Sequence, residues 1–110
     1  MAKDDYFVVV YRILNYLYGC FKAGEEPDQD LFGPDALRIN NGYWANIVES
    51  LYREGYIVGV SFISSPGSVK AVRLDELKIT QKGIEYLQDN SKMAKAKEFL
   101  RTLKETVPGL

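Results

Sequence analysis

A chain of 110 residues, 46% hydrophobic and 26% charged, has the size and make-up of one compact domain around a single core. Its net charge of −1 conceals a division: residues 1–60 set five basic groups against nine acidic ones, a net of −4, and residues 61–110 set nine against six, a net of +3. No apolar run approaches the roughly 18–20 residues that cross a bilayer, and MAKDDY lacks the hydrophobic stretch of a secretory signal, so neither a membrane protein nor a secreted one is expected.

Asp4 or Asp5 can cap a first helix over residues 5–22, where Phe7, Val10, Leu14, Leu17 and Phe21 recur at three- and four-residue steps. The run Val8, Val9, Val10 favours a strand, but the rhythm persists for about four turns, longer than ordinary strands. AGEEPDQD reads as an acidic loop that closes with a short helical turn at DQDLF; Gly33-Pro34 breaks the chain, and Pro34, suited to a first helical position, opens a short helix over DALR, so residues 28–38 form the region of a short second helix. Asn40 or Asn41 can cap a third helix over residues 41–54 with Trp44, Ile47, Val48 and Leu51 inward, and Gly55 stops it. Residues 56–74 form a β-hairpin turned at SSPGS, where Pro-Gly suits a type II turn. Thr80 caps a fourth helix over residues 80–90, which turns Ile84 and Leu87 inward. Ser91 caps a fifth over residues 91–107, with Met93, Ala96, Phe99, Leu100, Leu103 and Val107 on its apolar side.

The order helix, short helix, helix, hairpin, helix, helix describes one α+β, predominantly helical, winged helix-turn-helix domain over residues 1–110. In that arrangement the third helix enters the DNA major groove and the hairpin wing lies near the backbone. LYREGYIVGV, followed by LKITQKGIEYLQDNSKMAKAKEFLRTLKETVPG, resembles the YjcQ family, small winged-helix proteins of Firmicute genomes and prophages. The resemblance runs from about Tyr6 to the C-terminus and is most specific between Ile79 and Pro108, where Thr80, Gly83, Tyr86, Leu87, Asn90, Ser91 and Met93 are in place. It implies the fold, a bacterial or phage cytoplasmic setting and a regulatory role, and it carries no activity with it.

With Trp44, Ile47, Val48 and Leu51 inward, Asn41, Tyr43, Asn46, Ser50 and Arg53 lie toward the open side of the third helix. Asn41, Asn46 and Ser50 are the expected base readers, since Asn pairs bidentately with adenine, and Tyr43 and Arg53 the expected phosphate holders. Lys70 and Arg73 of the wing complete the expected double-stranded DNA interface, although such charges are also ordinary on the solvent side of a strand. Glu49 and Glu54 oppose that reading by repelling phosphate, and a merely solvated polar face explains the same residues. The alternative is a winged-helix interaction module that binds no DNA and meets a basic protein partner with its acidic first half. Lys92, Lys95, Lys97, Arg101 and Lys104 read as the solvated face of a last helix packed on the first, or on a second copy in a homodimer through the terminal helices.

An enzyme is not expected. The chain has no histidine, which removes the commonest general base and metal ligand. Its one cysteine, Cys20, lies in an apolar helix with no evident activator, so it reads as a buried structural thiol in a reducing cytoplasm. No phosphate-cradling glycine motif or calcium-loop spacing appears, so neither a cofactor nor a metal is expected. The many tyrosines lack basic neighbours, which favours core and rim packing over a base-stacking surface.

Overall fold

The computed structural model describes residues 1–63 and 71–103. The elements run α1 (Tyr6–Ala23), α2 (Gln29–Phe32), α3 (Pro34–Leu37), α4 (Asn41–Arg53), β1 (Ile57–Ile63), β2 (Ala71–Ile79), α5 (Gln81–Asp89) and α6 (Ser91–Thr102). This is an α+β arrangement of helices with an antiparallel hairpin, the layout of a winged helix. The expected turn at SSPGS and the last residues of the fifth helix, 104–107, lie outside the described residues.

α1 is the hub of the fold. Val8, Val9, Val10, Tyr11, Ile13, Leu14, Tyr16, Leu17 and Cys20 are all buried, and α2, α4, α5, α6 and β2 pack around it. The buried surface is therefore wider than the expected stripe, and Phe21, placed on that stripe, stands 52% exposed. Burial on several sides explains why three consecutive valines are helical: apolar contacts all round outweigh the intrinsic strand preference of β-branched residues. Gly24, at φ 69, ends the helix, with Glu25 N–H bonded to the Cys20 carbonyl and Gly24 N–H to that of Phe21. Asp5 stands at the N-cap without capping through its side chain; its carboxylate accepts instead from the Ala2 N–H at 2.9 Å.

The break expected at Gly33-Pro34 separates two short helical turns in the region of the second helix. Gly33 is extended between them, at φ −75 and ψ 179. Its N–H donates to the Gln29 carbonyl at 2.7 Å, so close that a Cβ at Gly33 would stand 2.7 Å from the same oxygen. Pro34 opens the second turn, as its fixed φ suggests, and Arg38, at φ 57, closes it.

Asn40 caps α4, its side-chain oxygen accepting from the Tyr43 N–H at 2.8 Å. Trp44, Ile47, Val48 and Leu51 are all buried, as expected, together with Ala45. An aromatic series sets the helix in place. Tyr16 of α1 stacks on Phe32 of α2 with centroids 5.6 Å apart, Phe32 meets Trp44 at 6.3 Å, and Trp44 Nε1 donates to the Phe32 carbonyl at 3.0 Å.

The hairpin differs from expectation in its second strand, which continues beyond Leu74 to Ile79. A bulge explains the difference. Ile57 pairs with Ile79 and Val58 with Lys78, but Val60 pairs with Leu74, so Gly59 alone faces three residues of β2. Gly59 has φ 84 and Glu76 φ 58. Inward residues are thus spaced by three across the bulge, Ile57 to Val60 and Leu74 to Leu77, which breaks the two-residue alternation that betrays a strand.

α5 and α6 close the domain. Thr80 caps α5 by accepting from the Gly83 N–H at 3.0 Å while its hydroxyl donates to the Gly55 carbonyl at 2.6 Å. The cap of α6 is Asn90 rather than Ser91: its side-chain oxygen accepts from Lys92 N–H at 2.8 Å and Met93 N–H at 3.3 Å. Met93, Ala96 and Leu100 are wholly buried and α6 packs on α1, so this stripe is covered within one chain, whereas Leu103 stands 39% exposed. Among the described residues no helix is long and apolar enough to cross a membrane.

Candidate nucleic-acid interface

At about 100° per residue, Tyr43, Asn46, Ser50 and Arg53 fall within roughly an 80° sector of α4, opposite its buried stripe. Asn46 and Arg53 are exposed; Tyr43 and Ser50 are half-buried. Asn41 is exposed but lies about 140° around the helix from Asn46, so the two expected adenine readers do not share a face. Arg73 is exposed on β2 opposite Ser61, and Lys70 lies outside the described residues.

What covers part of this sector is the start of the chain. The Tyr43 hydroxyl donates to the Asp4 carbonyl at 2.7 Å, and the Tyr6 hydroxyl shares a 2.8 Å hydrogen bond with Ser50 Oγ. Residues 4–6 are thereby laid against the two positions expected to touch DNA, and the carboxylates of Asp4 and Asp5 come with them. Burial, followed by the negative charge of Asp4 and Asp5, pushes the Tyr43 phenol above its ordinary pKa. Arg53, for its part, is paired with Glu49 at 3.6 Å. The outward side of α4 therefore meets its surroundings with carboxylates at both ends of the sector. Asp4, Asp5 and Tyr6 escape notice in the sequence because 39 to 44 residues separate them from their partners. Locally they read only as the start of a helix.

The other tyrosines serve packing. Tyr11 and Tyr16 are buried, Tyr56 stacks on Tyr86 at 4.4 Å, and Tyr52 meets Phe62 edge-on at 5.8 Å. Burial is the largest cause raising the pKa of Tyr11, Tyr16, Tyr43, Tyr56 and Tyr86 above the ordinary 10.0. The consequence has a definite sign. Below pH 10 both folded and unfolded chains keep these protons; above it the unfolded chain releases them first, so stability falls as pH rises. Urea midpoints measured between about pH 9 and pH 11.5 should decline, and tyrosinate absorbance should show a class of phenols ionising late. Titration of all eight tyrosines together at the ordinary value would contradict this.

Cys20 is buried, as expected, and among the described residues no group of three or more cysteines and carboxylates is arranged to hold a metal. On α6, Lys92, Lys95, Lys97 and Arg101 are exposed; Arg101 pairs with Glu98 at 3.6 Å and Lys92 lies over the Phe7 ring at 5.8 Å. Lys104 lies outside the described residues.

No curated protein and no solved structure matches the chain. The family model of the YjcQ protein matches residues 11–106. The residues that carry the resemblance hold the fold together: Thr80 and Asn90 cap helices, Gly83 lets α5 approach the Tyr56 backbone, Tyr86 stacks on Tyr56, and Leu87 and Met93 are buried. A match across nearly the whole chain, resting on residues whose roles the structure explains, places the protein in the YjcQ family.

Proposed function

We propose that this protein is a non-enzymatic cytoplasmic regulator that works as an interaction module, holding a basic protein partner on its acidic first half instead of reading DNA with α4. The observation that carries the proposal is the chain start lying on α4, with Tyr43 bonded to Asp4 and Tyr6 to Ser50. DNA affinity depends mainly on neutralised phosphates. Here the groups around the would-be reading face include Asp4, Asp5, Glu49 and Glu54, and its arginine is engaged with Glu49. A phosphate backbone approaching α4 meets more negative charge than positive.

The second reading is duplex binding by a small transcriptional regulator, with α4 in the major groove. Exposed Asn46 supports it, as does exposed Arg73 on the wing. Titration of labelled random duplex at roughly 50 mM salt separates the two. Under the interaction reading, no saturable binding is expected up to about 100 µM, the weak end of ordinary non-specific affinity. Micromolar affinity that falls steeply with added salt and weakens in Arg53→Ala, with relaxed sequence preference in Asn46→Ala, would reverse the order of the two readings.

A further inference from the structure

A groove of 560 Å³ opens between the C-terminal end of α1, the loop after it and the bulged part of β2. Two backbone devices shape it. Gly24, at φ 69, turns the chain sharply off α1, and Glu76, at φ 58, splays β2 so that both Leu74 and Leu77 face the groove. A non-glycine residue held at positive φ costs energy that the surrounding structure must offset, which makes the bulge a constrained feature rather than a loose one. The floor is apolar: Leu17, Phe32 and Leu77 are buried there, and Phe21 stands half-exposed at the edge.

The rim is acidic. Glu25, Glu26 and Glu76 line the groove and are all exposed, against one cation, Lys78, among the described residues that line it. The volume falls in the range of small-molecule pockets, about 300–1,000 Å³. The chemistry does not suit a small amine, however, since no charged residue among the described ones is buried to meet its cation. Exposed rim carboxylates select and steer a charged partner, and apolar burial supplies the hold. The same composition continues beyond the groove, where exposed Asp28 and Asp30 precede Leu31, itself 51% exposed. That extent fits a chain segment better than a compact ligand.

We propose that the groove seats one large apolar side chain from a lysine- and arginine-rich segment of a partner protein, with Glu25, Glu26 and Glu76 facing the flanking cations. The proposal rests on the reading of the acidic half as the partner face and assigns it a specific place.

The test pans a random peptide display library against the full chain, then measures the best synthetic peptide by fluorescence anisotropy. The selected peptides should share one Leu, Ile, Met or Phe flanked by Lys or Arg. Alanine at that anchor should weaken binding by about tenfold or more. The double variant Glu25→Gln, Glu26→Gln should weaken it by roughly fivefold at low salt and less at high salt, with an unchanged urea midpoint. Amide shifts on peptide addition should centre on Leu17, Phe21 and Leu77. The groove is overturned if no peptide is enriched, if the selected peptides lack basic flanks, or if the alanine peptide binds equally well. A simple alkylamine binding as tightly as the peptide, or self-association of the chain through these glutamates, overturns it too. Shifts centred on Asp4, Tyr43 and Ser50 would overturn the groove while leaving the partner-binding reading intact. Duplex binding in the salt titration would overturn that wider reading.

Discussion

Trp44→Ala should lower folding stability by about 4 kcal/mol, a large part of the roughly 5–15 kcal/mol that holds a domain of this size. Three effects combine. The indole is 2% exposed, so its removal leaves a cavity where α2 meets α4. It ends the aromatic series from Tyr16 through Phe32, so Phe32 loses its neighbour on one side. It also donates to the Phe32 carbonyl in a buried site, so alanine leaves that acceptor unpaired. Trp44→Phe keeps most of the apolar volume and loses chiefly the hydrogen bond, which should cost about 1–2 kcal/mol. Urea unfolding with an unchanged m-value measures both. A loss below about 1 kcal/mol in the alanine variant would show that α4 is held by something other than this series.

Gly83→Ala is expected to cost about 3 kcal/mol, at the upper end of overpacking penalties, although alanine ordinarily favours a helix interior over glycine by about 1 kcal/mol. Gly83 lies in the first turn of α5, where the helix crosses the chain leaving α4. A Cβ would stand 2.3 Å from the Tyr56 carbonyl oxygen, 3.1 Å from its carbon and 2.8 Å from Ile79 Cγ1. Two of those atoms are backbone, and Tyr56 is fixed further by accepting the Thr80 N–H at 3.0 Å. The added methyl can be housed only by moving α5 away, which disturbs the Thr80 cap and the Tyr56–Tyr86 stack. The midpoint of thermal unfolding should drop by roughly 12–24 °C. Gly24→Ala is the control: nothing lies within 4 Å of its Cβ, and only its φ of 69 opposes alanine, for about 1 kcal/mol. Equal losses at the two sites would mean that backbone conformation, and not the close approach to Tyr56, is what Gly83 supplies.

Both substitutions touch features whose residues are visible in the sequence and whose reasons are not. The helical stripe of Trp44, Ile47, Val48 and Leu51, the caps at Asn40 and Thr80, and the Gly55 stop follow from spacing and side-chain chemistry within a few residues. Such local rules also order the elements and carry the resemblance to the YjcQ family. That glycine at position 83 is required, by contrast, depends on Tyr56 and Ile79, brought there by the hairpin and by α5 packing across it.

What the sequence determined by itself is the succession of helices and strands, the inward side of α4, the burial of Cys20 and the division of charge between the halves, because each depends on neighbours within a turn or on composition. Tertiary structure alone decided the rest. It shifted the strand phase at Gly59 and Glu76, widened the buried face of α1, and above all laid Asp4 and Tyr6 across Tyr43 and Ser50. The physical reason is distance along the chain. Periodicity shows which side of a helix avoids water, but what lies on its other side is set by residues some 40 positions away, and the field at a surface is the sum of charges that only folding brings together.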